Sequence, residues 1–457
     1  MLGLLVLGAA GLSLFLGHVR RTAPSWPARL PGVRLEPARP TLREADVQPD
    51  NAYYYIRQLA AWTNSLRLPK EWEQLKACGY EPKAQPIMDA WFASNAAPLE
   101  LCRQAAALTN CQVATILSVN QLTPYIRPVI SAAKMLTLCA EQSGARQEWP
   151  RALADLRIAL CLGDQVSRGG PLINSLVNLV SGSQTCWATR RIALTTHPPA
   201  NFLRDAGQFF QTTEEHLEPF SETMRYEWVF ARGTIEDLWR HMPDSETNSM
   251  VREREMLGMS KWQMALSSTE IMRHHFEDLY SHLIAFADGP PGEQKYLAEV
   301  NTFLEDESKL HWLAAGDIIG RTLATVMVPG VAENRTRYHA YLATLRGTQL
   351  FLAVCAFREE HGGQLPKTLE ELVPAYLPKL PADPFAKDGQ TFRYRVEQNR
   401  WVIYSIGPDQ KDDGGQYDWA NREDRYKPET DLLFASDEFD KARARYLEKQ
   451  KTKPAEE

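Results

Sequence analysis

Apolar residues recur at helical spacing through most of the chain. Tyr55, Leu59, Trp62 and Leu66 step by four, three and four positions, so they line one face of a helix. No repeating signature of the kind that marks solenoid proteins is present. The pattern predicts an irregular all-α domain over residues 49–330. Short breaks rich in proline and glycine separate further helices, predicted near 121–141, 172–195, 201–217, 222–241, 255–287 and 293–328.

Beyond this region the chain changes character. A helix near 336–361 is expected to end at a double glycine, and a proline-rich connection follows it. In that connection Thr368 and Glu371 have the spacing of a capping box that opens a short helix. These elements predict a small α+β domain over residues 335–434, followed by a loosely helical charged tail over residues 435–457.

Strand-like alternation appears only in this C-terminal domain. Phe392, Tyr394 and Val396 alternate with Arg393 and Arg395, so one face of the strand is apolar and the other is basic. A second alternating stretch follows after a short turn, which predicts an antiparallel hairpin. The two predicted strands cover 391–397 and 401–407.

The N-terminus carries an apolar run, MLGLLVLGAAGLSLFLG, without a charged residue. A straight helix of this length spans about 25 Å, a little less than the roughly 30 Å hydrocarbon core of a bilayer. His18, Arg20 and Arg21 extend its reach by snorkelling. We interpret residues 1–19 as a membrane anchor, because the basic start and the small-residue cleavage site of a signal peptide are missing. A cleaved signal segment stays open as the alternative.

The next residues, 20–48, are rich in proline and arginine and show little apolar periodicity. This composition predicts a semi-rigid extended tether between the anchor and the body. Under the positive-inside rule, the arginines after the anchor favour a body on the cytoplasmic side. They are Arg20, Arg21, Arg29, Arg34 and Arg39.

Composition narrows the class of protein. Of 457 residues, 44% are apolar and 24% are charged, which is typical of a folded globular chain. The net charge of −6 leaves no overall basic surface, so nucleic acid is not expected as a partner. None of the seven cysteines forms a CxxC pair, and we interpret them mainly as small buried side chains. One or two disulfides stay open if the body is exported.

The most acidic stretch follows the second predicted strand, in YSIGPDQKDDGGQYDW. Asp409, Asp412, Asp413 and Asp418 supply the hard carboxylate oxygens that Ca²⁺ prefers, and the carbonyl of Ile406 is a further candidate ligand. The spacing is not that of an EF-hand. An acidic turn without a cation is the alternative, because aspartate and glycine are also ordinary turn residues.

No motif in the sequence points to catalysis. His275 and His282 are seven positions apart with Glu277 nearby, whereas helical metal sites require other spacings. A nucleophile elbow and glycine-rich phosphate loops are absent from the sequence. We therefore lean towards a non-enzymatic protein. An active site in the helical domain, formed by residues that sequence cannot pair, remains an alternative.

Several strings in the C-terminal region occur in a recognisable order. They are FREEHGGQLPKTLEELV, YLPKLPADPF, FRYR and VIYSIGPDQKDDGG. A similar order, with a helix ending near Gly-x-x-Pro, a Pro-x-Asp-Pro segment, an aromatic strand and a YS-x-G-x-D-G loop, characterises the major pseudopilin of type II secretion. Residues 336–420 resemble the C-terminal globular domain of that family.

This resemblance implies a pseudopilin-like α+β fold with a calcium-binding loop. Asp409 is the best-matched ligand position, and Asp418 falls near the later acidic pair of the family. Asp412 and Asp413 match less cleanly, because an extra acidic residue is present there. A long helical region precedes the module, so the whole chain looks like uncharacterised bacterial envelope proteins that carry such a module. The resemblance also favours an exported body, against the arginine distribution.

Together these features predict a mainly α protein with an N-terminal membrane-anchor helix, an irregular all-α body and a C-terminal α+β domain with a hairpin. The expected function is that of a non-enzymatic, membrane-anchored envelope protein with a calcium-stabilised interaction module. We expect a single pass through the inner membrane and a periplasmic body. An accessory role in a type II secretion or pilus-like assembly, with pilin-like subunits as partners, is a further alternative.

Overall fold

A computed structural model describes residues 27–118, 121, 123–241, 269–289, 295–305, 315–397, 400–415 and 431–452. These residues are mainly helical, with one small antiparallel sheet. They divide into two compact units. Unit 1 comprises the described residues of Met1–Pro40, Ile116–Leu122 and Phe220–Glu333. Unit 2 comprises those of Thr41–Thr115, Thr123–Pro219 and Asn334–Glu457.

The described residues contain thirteen α-helices, numbered here in chain order. The first four are short and precede the main helices of unit 2. The bounds are α1 Tyr53–Ile56, α2 Trp72–Cys78, α3 Gln85–Ser94, α4 Ala96–Ala106, α5 Ile126–Ala145, α6 Trp149–Ser167, α7 Leu172–Thr195, α8 Ala200–Glu215, α9 Phe220–His241, α10 Thr269–Asp288, α11 Lys295–Glu305, α12 Ala315–Glu360 and α13 Glu438–Thr452.

Most of the predicted helices are confirmed, and several agree closely in their bounds. Helix α7 has the bounds predicted for 172–195, and α8 and α9 lie within two residues of theirs. The start of the helix predicted over 255–287 falls outside the described residues, which resume at α10. Helices α5, α6 and α7 pack against one another and form the main helical layer of unit 2.

Helix α12 is much longer than the sequence predicts. The predicted break after Pro329 is wrong, because the helix continues through this proline to Glu360. An internal proline removes one backbone hydrogen bond, but burial on both sides, at Val328 and Val331, favours continuation. The expected stop at the double glycine is confirmed. Gly362 and Gly363 adopt positive φ there.

Among the described residues, one helical segment is long and apolar enough to cross a membrane. It is the part of α12 that spans Met327–Glu360. However, 78% of its most apolar window is buried within the protein. Such burial is typical of a core helix. The predicted anchor, residues 1–19, lies outside the described residues.

The sheet has three antiparallel strands in the order β1-β2-β3. They are β1 Arg393–Glu397, β2 Arg400–Ser405 and β3 Leu432–Ala435. The predicted hairpin is confirmed as β1 and β2, with Arg395 opposite Val402. Strand β3 was not predicted from sequence. It pairs with β2 through partners such as Ile403 and Phe434.

One face of the sheet packs on α12. The rings of Phe351 and Trp401 lie 4.6 Å apart, and a Cβ at Gly347 would come within 2.3 Å of the Phe434 ring. The same hydrophobic core includes residues of α5 to α8, such as Leu156. The C-terminal elements therefore belong to one core with upstream helices. Along α12 the division between the units lies between Glu333 and Asn334, and unit 2 also includes Thr41–Thr115 and Thr123–Pro219.

The tail also differs from the expectation of a loose, fraying helix. Helix α13 is docked, because the Phe439 ring lies 4.5 Å from the Trp187 ring and Glu438 pairs with Arg190. At its outer side, Arg443 pairs with Glu81 at 3.1 Å. Residues 435–452 are thus part of unit 2.

The described part of the predicted tether is packed rather than extended. In unit 1, Leu35 is buried and Arg34 pairs with Glu222 at 2.7 Å. The N–H of Ala38 donates to the same carboxylate. In unit 2, Val47 joins the hydrophobic core. From residue 27 onward, the proline- and arginine-rich stretch therefore forms part of the folded body.

The predicted capping box is wrong in its detail. Residues Leu369–Leu372 form a single 3₁₀ turn, and Thr368 makes no capping hydrogen bond. Instead the Glu371 carboxylate accepts from the backbone N–H of Lys367 at 3.2 Å. All seven cysteines are free thiols, and Cys78 and Cys161 are the two that are not fully buried.

Candidate functional site at the acidic loop

The acidic loop leaves β2 through a sequence of glycine-dependent turns. Gly407, Gly414 and Gly415 all adopt positive φ, a region that favours glycine. At Gly415 a Cβ would also come within 2.9 Å of the Tyr404 ring. The close turn therefore brings the end of the described loop back over the sheet.

A buried carboxylate fixes the start of the loop. Asp383 accepts hydrogen bonds from the Ser405 hydroxyl at 2.7 Å and from the N–H groups of Phe385 and Ile406 at 3.0 Å. Burial raises the pKa of Asp383, and these donors oppose the rise. Asp383 belongs to the ADPF string and Ser405 to the YSIG string. Two of the strings that carry the pseudopilin resemblance are therefore bonded to each other.

The basic face of β1 holds the loop. As the alternation predicts, Arg393 and Arg395 act on the same side of the strand: Arg393 Nε lies 3.4 Å from Asp412 Oδ2, and the Arg395 guanidinium donates to the carbonyl of Gly414. The Arg395 guanidinium also lies over the Tyr404 ring, 5.7 Å from its centroid. Arg393, Arg395 and Tyr404 thus lie under the loop and contact it.

Asp412 is well bonded within this arrangement. Its Oδ1 accepts from the Tyr404 hydroxyl at 3.1 Å and from the N–H of Gly414 at 3.0 Å. The pKa of Tyr404 is raised, first by burial and then by this hydrogen bond to Asp412. Asp412 therefore acts as the link between the loop and the sheet.

Asp431, which sequence reasoning missed, completes the acidic group. The side chain is fully buried just before β3, and its Oδ2 accepts from the N–H of Gly415 at 2.7 Å. Its Oδ1 is buried without a hydrogen-bond partner among the described residues. Burial, and then the charges of Asp413 and Asp412, raise the pKa of Asp431 to about 6. The available signal was a lone aspartate directly before the apolar run LLFA.

The other predicted ligands are placed differently. Asp409 makes local contacts: its Oδ1 accepts from the N–H of Lys411 at 3.1 Å, and Lys411 Nζ lies 3.7 Å from its Oδ2. Ile406 is a core residue whose N–H is used by Asp383. Asp418 lies outside the described residues. Within the described part of the chain, no three His, Cys, Asp or Glu side chains form a metal-binding group.

The three side chains do not converge as metal ligands, but the charges of the exposed Asp413 and Asp412 act on the buried Asp431. They combine one carboxylate held by hydrogen bonds with one that is buried and incompletely bonded. Such a group favours proton uptake or a bound cation, because either would relieve the repulsion between the carboxylates.

The candidate site residues on the helices form weaker sites than the acidic loop. His282 directs both ring nitrogens at main-chain carbonyl oxygens, and His274 lies 3.4 Å from Glu277 near the surface. Cys139 interacts with Asp155, and burial raises the pKa of its thiol to about 12, which disfavours the reactive thiolate. The acidic loop is therefore the better candidate.

Comparison of the chain with protein-family models, curated proteins and solved structures found no match.

Proposed function

We propose that the chain is a non-enzymatic, membrane-anchored envelope protein whose C-terminal region resembles a pseudopilin and presents a cation-stabilised interaction surface. The observation that carries the proposal is the under-bonded Asp431 carboxylate beside Asp412 and Asp413. The resemblance of residues 336–420 to the pseudopilin module supports calcium as the cation. The acidic loop of this chain is formed by the string VIYSIGPDQKDDGG, which corresponds to the loop of that module.

Electrostatics gives the cation its role. The charges of Asp412 and Asp413 repel that of Asp431, and the repulsion is strengthened where water is excluded, as it is around Asp431. A calcium ion would replace that repulsion by attraction and connect the loop to the start of β3. Its six to eight oxygen ligands would come from the carboxylates, main-chain carbonyls and water.

The interaction surface would combine the loop with the edge of the sheet. Strand β1 lies at one end of the strand order, and Val396 on it is 45% exposed. Arginines on this strand hold the loop, so a change in the loop would alter the charge of the surface that a partner contacts. Pilin-like subunits are the partners that the resemblance favours.

The cation is tested by thermal unfolding of the full chain. A fragment of residues 335–435 is unsuitable, because these elements share their core with upstream helices. Calcium should raise the midpoint of the wild type, and a free concentration of 100 times Kd adds about 2.7 kcal/mol to the free energy of unfolding. The shift should disappear in Asp431→Asn and remain in Asp440→Asn, which removes an exposed charge from α13.

Two outcomes would count against the cation. One is a wild-type midpoint that does not respond to calcium, and the other is an equal response in both variants. Magnesium at the same concentration should give a smaller shift, because it requires a stricter octahedral geometry.

The membrane part is tested separately. Residues 1–19 would span the inner membrane once, with the body on the periplasmic side. The full chain should stay with membranes after alkaline extraction, whereas a variant that lacks residues 1–19 should be released. A protease added to intact spheroplasts should digest the body. Protection from that protease would contradict the proposed sidedness.

A further inference from the structure

Strand β1 forms an edge of the sheet. Among the described residues, β2 is the only strand that pairs with it, and the five pairs from Arg393 to Glu397 run without a bulge. Val396 and Glu397 are exposed, whereas the other three residues of the strand are half-buried. A regular edge strand without proline presents unpaired main-chain groups to a further strand. Strand β1 therefore offers a template for strand addition.

The pairing on the other side of β2 shows which main-chain groups of β1 face outward. The N–H of Ser436 donates to the carbonyl of Trp401 at 3.1 Å, and the N–H of Trp401 donates to the Ser436 hydroxyl at 3.1 Å. The main-chain groups of Trp401 thus face β3, and Val396 is its partner on β1. Because these groups alternate in direction along a strand, the N–H and carbonyl groups of Val396 and Tyr394 point away from β2.

The charges on β1 match those of a second copy in one register. If two copies pair antiparallel about a two-fold axis at Val396, Arg395 of each copy lies opposite Glu397 of the other. An axis at Tyr394 would place Arg393 opposite Arg395, and an axis at Arg395 would place that residue opposite its own copy. Like charges directly opposite one another destabilise a strand pair. Of these three registers, the one through Val396 avoids such contacts.

The two faces of β1 both suit this register. On the loop side, Arg395 and Glu397 already pair at 2.6 Å within the chain, so a second copy would add charges of alternating sign. On the other side, Tyr394 packs on the core and Val396 is 45% exposed, so Val396 would lose water by meeting its own copy. Exposed ion pairs contribute little free energy. The charges therefore select the register, and the hydrogen bonds and Val396 supply the affinity.

We propose that β1 pairs with β1 of a second copy of this chain, antiparallel about a two-fold axis at Val396, and joins two three-stranded sheets into one. The inference rests on the interaction surface proposed above and names a second copy of the chain as its partner. Both acidic loops would then lie on one face of the joined sheet. The pairing requires neither calcium nor the membrane anchor.

Cross-linking tests the register. Val396→Cys places one thiol of each copy at the two-fold axis, so mild oxidation of the full chain, purified in detergent, should give a disulfide-linked dimer. Leu447→Cys is the matched control, because Leu447 on α13 is 47% exposed. This control should remain monomeric, as should the wild type with its seven native thiols. Equal cross-linking of the two variants would overturn the proposal, because random collision would then explain it.

Sedimentation equilibrium of the full chain measures the dimer without a cross-link. Val396→Pro removes the two hydrogen bonds that Val396 would exchange with its copy, so the dissociation constant should rise about 10- to 30-fold. Proline is tolerated where the N–H of an edge strand faces outward, so the monomer should stay folded. Val396→Thr keeps the N–H and should dimerise nearly as the wild type does.

If Val396→Pro does not fold, Glu397→Arg serves instead. It places like charges opposite each other at Arg395 and should weaken the dimer several-fold, and added salt should reduce that loss. The intrachain pair with Arg395 is also removed, but both side chains are too exposed for that to unfold the sheet.

A wild type that stays monomeric up to about 100 μM would overturn the proposal, since even weak protein interfaces form in the micromolar range. A dimer that folded Val396→Pro leaves unchanged would also overturn it. Calcium is chelated in these measurements, so failure of the dimer leaves the calcium-dependent midpoint as a separate result. A dimer that forms in a protein whose midpoint ignores calcium would contradict the cation alone.

Discussion

The carboxylates inside unit 2 and those of the acidic loop are held in opposite ways. In the interior, Glu438 pairs with Arg190 through two nitrogens, at 2.8 and 3.3 Å, and the third guanidinium nitrogen donates to Thr348. On the next residue of α7, Arg191 pairs with Glu141. In the loop, Asp431 has the like charges of Asp413 and Asp412 as neighbours.

This difference shows which carboxylates are fully paired and which could still bind a cation. The interior pairs are neutral overall and satisfied, so they have no capacity for a further ion. The loop has surplus negative charge and an unpartnered buried oxygen on Asp431. Asp431 is as buried as the interior carboxylates, and the sign of the charges around it separates the two regions.

The largest effect is expected from breaking the pair between Arg190 and Glu438. Both side chains are 2% exposed, so Glu438→Ala leaves an uncompensated charge in the core and should lower the free energy of unfolding by about 3–5 kcal/mol. Urea unfolding measures the loss. Asp440→Ala, on the same helix, should cost much less. A loss below about 1 kcal/mol for Glu438→Ala would mean that α13 is not held as described.

The second effect concerns Asp383, which accepts three hydrogen bonds. Asp383→Asn replaces one acceptor oxygen by a donor and should cost about 1–3 kcal/mol, because a donor such as the Ile406 N–H loses its partner. Ser405→Ala removes a single donor and should cost less. Equal losses in the two variants would show that the carboxylate does not organise the start of the loop.

The third effect is a pH dependence that belongs to Asp431. Its folded pKa of about 6 exceeds the value of roughly 3.9 in an unfolded chain, so the folded state binds the extra proton. The free energy of unfolding should therefore fall as pH rises from about 4 to about 6. It should change little above that range. Urea unfolding of the wild type and of Asp431→Asn, without calcium, measures the difference.

Asp383 has a raised pKa as well, so only the difference between the two proteins is diagnostic. Parallel curves for wild type and Asp431→Asn would rule out Asp431 as the titrating group. Saturating calcium should flatten the wild-type curve if the cation occupies this position.

The smallest effect is expected at a surface pair. Arg204 and Glu360 lie 2.7 Å apart but are 42% and 34% exposed. Arg204→Gln should lower the free energy of unfolding by about 0.2–1 kcal/mol, and added salt should reduce the loss. A cost similar to that of Glu438→Ala would show that burial does not distinguish the two classes of ion pair.

Local patterns in the sequence were sufficient for most of the helices and for the hairpin. The proline- and glycine-rich breaks located α7, and the alternation around Arg393 and Arg395 identified the face that meets the loop. The aspartate-rich string also indicated where charge is concentrated. These features depend on neighbours within a few positions, which is the range over which sequence patterns are informative.

Features that depend on distant pairing were not predictable. Strand β3 is four residues long and gains its role only by pairing with β2. Asp431 enters the loop because that strand returns the chain to the sheet. The passage of α12 through Pro329 depends on packing, which overrides the local preference. The predicted change near residue 330 therefore falls inside a continuous helix, close to Asn334, where unit 2 resumes.

The separation between Arg190 and Glu438 has a consequence for biosynthesis. The two residues are 248 positions apart, so α7 leaves the ribosome long before its counter-charge has been made. Until then the Arg190 guanidinium and the Trp187 ring beside it lack their α13 partners, Glu438 and Phe439, and the nascent helices of unit 2 are candidates for chaperone binding. A polypeptide that stops before α13 would retain this defect permanently, which would expose it to proteolytic removal.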